Sequence, residues 1–520
     1  MAVGPAATSS AAQGFMHLVD PNRKWYNNKR IIALNGWLVL LLITSSGNGF
    51  DGSLMNSLQS MYQWKGFFND PQGGTLGLLN AIQNIGALGG YPFAPYLSDG
   101  LGRRPTVWIG AVCMIAGVAL QTACQNINQF IGARFLIGFG LSIASNAAPM
   151  LVTEMSYPVY RPQLSALYNT LWYSGNIVAS WTSFGTARIN NDWSWRIPSL
   201  LQAIPALFQF FLIWFVPESP RFLISKGKET QALKTLAYYH ADGDEQDPLV
   251  QYEFEEIKAA IALDRESSRN VGWKALVATR GNRKRIAIII AIAWFSQWSG
   301  NGLVSYYLNQ VFNTIGITNT DTQLLITGIL AIWNLCWAVF ASFQVDRWGR
   351  RFLFLTSAIG MCVFFTLQTI CSAQYALHGN QAAAHAVIAF IFLFYAFYDL
   401  AFTPLIVSYT LEILPYSLRA KGFNVFNFTI SVALIFNQYV NPIALKAIAW
   451  KYYIVYCVWL AFEVVILYFF IVETKNRTLE ETAALFDGEE LDKLHQATAK
   501  VAEIRHEDYD EKSSDAAAHV

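Results

Sequence analysis

Charge is what this chain has least of. Asp, Glu, Lys and Arg make up 14% of its 520 residues, against about 25% in an ordinary soluble domain. Hydrophobic residues make up 54%, so most of the chain belongs in a lipid bilayer rather than in water. The net charge is only +1 with histidines neutral, which leaves nothing to attract nucleic acid. Cysteine is sparse too: Cys113, Cys124, Cys336, Cys362, Cys371 and Cys457 stand singly in apolar stretches. They lack metal-ligand spacing and read as small buried hydrophobes. No Ser-His-Asp set, metal cluster or phosphate loop stands out, so neither an enzyme nor a cofactor or metal site is expected. The segment 1–30 holds no apolar signal-peptide core, so insertion relies on the first span.

Long apolar runs are abundant. About twelve are long enough for a hydrocarbon core of roughly 30 Å, which takes about 20 helical residues. They fall near 31–56, 75–97, 105–124, 128–153, 162–186 and 197–216, then 285–312, 322–345, 352–374, 383–411, 420–444 and 452–472. Short charged elements recur between them. Asp99-Gly100-Leu101-Gly102-Arg103-Arg104 is echoed by Asp346-Arg347-Trp348-Gly349-Arg350-Arg351. Glu154 precedes Arg161, and Glu412 precedes Arg419, by the same seven positions. Pro217-Glu218-Ser219-Pro220-Arg221 has a looser echo in Glu473-Thr474-Lys475-Asn476-Arg477. Three matched elements in one order indicate a duplicated membrane unit, the build of many secondary transporters.

The expected organisation is an N-terminal segment (1–30), a six-helix bundle (31–218), a linker with amphipathic helices (219–284), a second six-helix bundle (285–472) and a tail (473–520). In the linker, Val250, Phe254, Ile257 and Ile261 lie on one helical face. Lys and Arg cluster on one set of flanks, including Arg23, Lys24, Arg103, Arg104, Arg283, Lys284, Arg350 and Arg351. That bias predicts cytoplasmic termini and a cytoplasmic linker.

These motifs, with Gly132-Ala133-Arg134 and Gln297-Trp298-Ser299-Gly300 followed by Tyr306-Tyr307, resemble the sugar porter family of the major facilitator superfamily over nearly the whole chain. Ser296 to Leu308 and Leu418 to Pro442 look most like fungal lactose-permease-type and hexose transporters. The resemblance implies an all-α membrane protein, with twelve transmembrane helices in two pseudo-symmetric bundles. It also implies a plasma-membrane setting and a monomer that moves a mono- or disaccharide.

Asp51 and Arg134 lie at matching depth in the first and fourth spans. An ionised side chain at the bilayer centre costs about 3 kcal/mol on insertion scales, so such residues face the bundle interior and pair. In the resembling proton-coupled members, Gly49-Phe50-Asp51 and Arg134 match an aspartate and arginine that act as a proton switch, making the proton the expected coupling ion. The carboxylate takes up a proton when its arginine turns to another partner. Asp399 and Glu463 also fall inside apolar spans and rank below Asp51, with packing or a satisfied hydrogen bond as the expected role of each.

A sugar site needs amides that donate and accept, plus aromatic faces. Asn169 and Asn176 share a face of the fifth span and match family positions that contact sugar. Gln297, Asn301, Tyr306 and Tyr307 in the seventh span and Asn334 in the eighth complete the expected set. Val407 stands where a tryptophan commonly stacks on hexose, a loss of bulk that suits a larger sugar; Trp172, Trp298 or Tyr409 could restore the aromatic surface.

The charges flanking the spans read as a latch between the halves, in which Arg103, Arg104, Arg161, Arg221, Arg350, Arg351 and Arg419 bridge to Glu154, Glu218, Glu412 and Glu473. Two alternatives remain beside symport: an uncoupled sugar or polyol facilitator, and a non-transporting nutrient sensor.

Overall fold

The computed structural model describes residues 26–270, 272–414 and 416–475, with Leu18 and Phe486, although within its helices some side chains, Asn169 and Asp346 among them, lie outside the described residues. The segments 1–17, 19–25 and most of the tail beyond 475 also lie outside them.

The chain is helical throughout its described length. The first bundle comprises α1 (Lys29–Leu58), the short α2 (Tyr62–Phe67), α3 (Gly74–Gly90) with α4 (Ala94–Leu101), α5 (Arg103–Ala123), α6 (Ile127–Met155), α7 (Arg161–Thr186), and α8 (Trp193–Leu201) with α9 (Ala203–Leu212). Three linker helices follow: α10 (Pro220–Ser225), α11 (Glu229–His240) and α12 (Pro248–Asn270). The second bundle comprises α13 (Arg280–Trp298) with α14 (Asn301–Thr314), α15 (Thr320–Trp348), α16 (Arg350–His378), α17 (Gln381–Ala401) with α18 (Leu405–Ile413), α19 (Tyr416–Ile448) and α20 (Tyr452–Phe470). Counting each broken pair once gives twelve spans in two six-helix bundles.

Helices are the local answer because a bilayer core offers no water to backbone N–H and C=O groups. Their ends are capped where they meet the polar zone. The Asn28 side chain accepts from the Arg30 and Ile31 amides, and the Asn126 side chain from that of Gln129. Among the described residues, nine helical stretches are apolar and long enough to cross a membrane, one of them running through both α19 and α20. The two spans outside that set are α3 with α4, and α7. Both spend polar residues on the interior: Asn80, Gln83 and Asn84 in the first, Tyr173 and Asn176 in the second.

Four spans are interrupted, and the breaks have local causes. Pro92 follows Tyr91 between α3 and α4, and Pro404 separates α17 from α18. Pro205 lacks the N–H that would bond one turn back, and α8 gives way to α9 at Gln202. Gly300, at φ 97°, turns α13 into α14. Residues at or beside all four breaks return below as walls or supports of one site.

On the linker side, α12 buries Val250 and Phe254 with partly buried Ile257 and Ile261 against Leu223, Leu236 and Ala237. This face is tied to the first bundle by Arg30, whose guanidinium bonds the Tyr238 carbonyl at 3.2 Å, and by Arg161 against Glu253 at 3.4 Å. Glu253 also meets His240 Nδ1 at 2.7 Å.

Candidate functional site: a cavity between two bundles

The matched charge motifs fold into two copies of one network. In the first bundle Arg103 grips Glu154 through Nε–Oε2 (3.1 Å) and Nη2–Oε1 (3.2 Å), while the Glu218 carboxylate accepts from the Arg103 and Arg104 amides at 3.2 and 3.3 Å. In the second, Arg350 grips Glu412 (3.3 and 3.1 Å), and Glu473 accepts from the Arg350 and Arg351 amides at 2.9 and 3.0 Å. Gly102 (φ 114°) and Gly349 (φ 86°) precede each Arg pair. A Cβ there would run into the Glu218 or the Glu473 carboxylate, so glycine is needed both for the left-handed turn and for the close approach. Burial pushes the Glu218 carboxyl above its usual range, against the pull of the amides it binds.

These contacts differ from one expectation. The latch was expected to bridge the halves in the outward-open state; in this conformation the Arg103 and Arg350 networks each close inside their own bundle. Arg161 pairs with Glu253 of the linker, while Arg221 and Arg419 sit half-buried in the first turns of α10 and α19. The contacts between bundles lie elsewhere. At the end remote from the linker, the Leu308 amide donates to Asn56 Oδ1 (3.1 Å), Asn309 Nδ2 to the Gln59 carbonyl (3.0 Å), Gln59 Nε2 to the Tyr306 carbonyl (3.0 Å) and Thr320 Oγ1 to the Ser60 carbonyl (3.0 Å). Deeper in, Asn84 Nδ2 meets Gln438 Oε1 at 2.6 Å and the Tyr173 hydroxyl donates to Asp399 Oδ1 at 2.7 Å.

Beneath that seal lies a cavity of about 410 Å³ between the bundles. It extends toward the linker face as far as Tyr91, Phe402 and Ile406, at the breaks in two spans. Asn176, Gln297, Asn301, Tyr306 and Asn334 all line it. Asn301 Nδ2 is held by the Ser296 carbonyl and the Tyr398 hydroxyl, while its Oδ1 and that of Asn334 have no hydrogen-bond partner in the protein. Tyr307 is a correction: it lies outside the lining, fully buried, with its hydroxyl on the Gln438 carbonyl. The side chain of Asn169 lies outside the described residues. Of the aromatics considered, Trp172 lines the cavity; Trp298 packs on Trp459 and Phe436, and the Tyr409 hydroxyl binds the Val472 carbonyl.

Asp51 and Arg134 are both buried, 0% and 3% exposed, so neither faces lipid or bulk solvent. They are near enough for their charges to attract, but no N–O pair within 4.0 Å joins them. Asp51 Oδ1 instead accepts from Gln202 Nε2 at 2.7 Å, and Gln202 Oε1 accepts from Gln121 at 2.9 Å. Arg134 donates to the Leu79 carbonyl (3.0 Å) and to Gln83 Oε1 (2.6 Å). What remains is telling: Asp51 Oδ2 and Arg134 Nη1 are each buried without a partner. Joining them would satisfy both, and leaving such groups unpaired costs more than an ordinary hydrogen bond is worth.

A family model for "Sugar (and other) transporter" matches residues 37–486. The chain belongs to that family. A high-affinity glucose transporter of Kluyveromyces lactis is 29% identical over 457 residues, covering 83% of this chain and 81% of that protein. A quinate permease of Neurospora terricola is 29% identical over 476 residues, covering 84% and 86%. The inward open conformation of the xylose transporter XylE from E. coli shares the fold, with a TM-score of 0.73 at 22% identity over 87% of this chain and 100% of that one. This sugar porter of the major facilitator superfamily is therefore a transporter and not an enzyme. The cavity residues that motif reading passed over in the transporter are Asn80, Gln83, Asn84, Tyr173, Tyr395, Tyr398 and Gln438. Asn80, Gln83 and Asn84 recur at the i, i+3, i+4 spacing of one helical face, and Tyr398 and Gln438 shortly precede Pro404 and Pro442.

Proposed function

We propose that the transporter carries a neutral mono- or disaccharide together with a proton, by alternating exposure of the central cavity to the two faces of the membrane. The observation that carries this reading is the pair of unsatisfied atoms, Asp51 Oδ2 and Arg134 Nη1, beside a cavity walled by amides and tyrosines from both bundles. Hydroxyls need donors and acceptors in mixed supply, which Asn176, Gln297, Asn301 and Asn334 offer. Among the described residues Arg134 is the only cation in the lining and Asp51 balances it, so a neutral sugar fits the cavity better than a carboxylate such as quinate. With the linker on the cytoplasmic side and the protein in the plasma membrane, the conformation here faces inward.

The coupling follows from partner exchange. With Arg134 turned to Leu79 and Gln83, Asp51 loses the neighbour that favours its charge and can hold a proton; when Arg134 returns, the proton leaves. Uptake of labelled glucose, xylose, lactose, cellobiose and quinate at two external pH values tests the reading. Faster uptake of one neutral sugar at the lower pH supports it, and uptake of quinate alone would overturn it.

Two expectations attach to the walls. Asn176→Ala and Asn334→Ala each remove one hydrogen-bonding arm, worth about 1–2 kcal/mol, so sugar affinity in equilibrium binding should fall by about 5-fold to 30-fold with the fold intact. Tyr173→Phe removes the bond to Asp399 across the bundles but leaves Thr403 Oγ1 on that carboxylate at 2.7 Å. Uptake should slow several-fold at an unchanged proton-to-sugar ratio. A changed ratio would move Asp399 from a positioning role into the coupling itself.

A further inference from the structure

A second cavity, of about 260 Å³, lies at the sealed end of the molecule, remote from the linker. It is walled by both bundles: Gln59, Trp64, Lys65 and Asp70 from the first, Asn309 and Lys446 from the second. The transport reading uses this end only as a seal, through Gln59 Nε2 and Asn309 Nδ2. Three of its residues are nonetheless almost fully buried, with polar atoms that find no partner in the protein: Gln59 Oε1 (1% exposed), Trp64 Nε1 (1%) and Asn309 Oδ1 (4%). Buried polar groups are ordinarily satisfied, so three around one cavity call for a ligand-sized explanation. The charges point the same way. Among the described residues neither Lys65 nor Lys446 has an ion-pair partner within 4.0 Å; Asp70, whose charge also attracts Lys65, accepts from Gln72 Nε2 at 2.7 Å. Burial also presses the Lys65 ammonium toward its neutral form, a pressure that the Asp70 carboxylate opposes in part and a bound anion would relieve further.

We propose that this outer cavity is a binding site for a small polyhydroxylated carboxylate, such as a sugar acid. The carboxylate would sit between Lys65 and Lys446, its hydroxyls donating to Gln59 Oε1 and Asn309 Oδ1 and accepting from Trp64 Nε1. Because the walls come from both bundles, the site exists only while they are closed at this end. A ligand there favours that state and slows the return of the empty cavity to the other face. This consequence rests on the alternating-exposure reading; the binding site itself does not.

The test uses full-length protein in nanodiscs, titrated calorimetrically with D-gluconate and, separately, with acetate. Gluconate should bind one per protein, and the Lys65→Ala/Lys446→Ala variant should bind it at least about tenfold more weakly, as loss of a charge-assisted contact requires. That variant should take up sugar normally when gluconate is absent. Asn176→Ala/Asn334→Ala should bind gluconate unchanged. Acetate, with the charge but no hydroxyls, should bind at least about tenfold more weakly than gluconate. The proposal is overturned if wild-type protein does not bind gluconate at millimolar concentration, if the lysine variant binds it as well as wild type, if affinity follows the central asparagines instead, or if acetate binds equally well. Failure of sugar uptake in every assay would remove the transport reading and leave the lysine-dependent binding standing.

Discussion

Replacing Asp51 by asparagine is expected to abolish sugar accumulation while sparing sugar exchange. Each unit of pH difference supplies about 1.4 kcal/mol per proton carried, so coupled wild-type protein should concentrate sugar about tenfold per unit. The variant keeps a polar side chain in contact with Gln202, whose amide is held by Gln121, so the fold should survive. It loses the group that trades Arg134 for a proton. Internal sugar should then rise no higher than the external level at any pH gradient, while counterflow of labelled for unlabelled sugar continues. Proteoliposomes loaded with one sugar measure both quantities. Accumulation by the asparagine variant that still tracks the pH gradient would remove Asp51 from the coupling step.

The second large effect is on stability. Arg103 is 8% and Glu154 13% exposed by side chain, and Arg103 also reaches Asp99 and the Ser98 carbonyl. Arg103→Ala leaves Glu154 without its guanidinium at a buried position, a loss of about 3–5 kcal/mol. Arg350→Ala makes the equivalent cut in the second bundle, where Arg350 and Glu412 are 14% and 26% exposed and Thr474 Oγ1 still binds Glu412. Its cost should be clearly smaller. Thermal unfolding of the two purified variants in detergent gives the comparison. Equal shifts would contradict the ranking by burial, and shifts within about 0.5 kcal/mol of wild type would mean that these networks are solvated surface pairs.

The duplication was legible almost to the atom. Arg103, Glu154 and Glu218 make contacts that Arg350, Glu412 and Glu473 repeat, down to the two glycines that let Glu218 and Glu473 approach. Which bundle the partners come from was not legible, because spacing identifies residues that recur without saying what lies across from them. The amide holding Asp51 was silent for a related reason. Gln202 is a single polar residue in an apolar run, and one residue carries no period; Gln83 stands with Asn80 and Asn84 at helical spacing, a signal that motif reading did not use. Asn176, Gln297, Asn301, Tyr306 and Asn334 were found through family motifs and do share one cavity. Tyr307 was not separable from Tyr306 by sequence, since the non-helical backbone at Tyr307 (φ −138°, ψ 28°) breaks the periodicity that would have assigned the two rings to different faces.

The most direct test of the account is proton movement by the unmodified transporter. In proteoliposomes containing a pH-sensitive dye, with no pH gradient imposed, adding the transported sugar outside should acidify the lumen in fixed proportion to the sugar that enters. Sugar entry with no change in internal pH would contradict proton coupling and leave a passive carrier in its place.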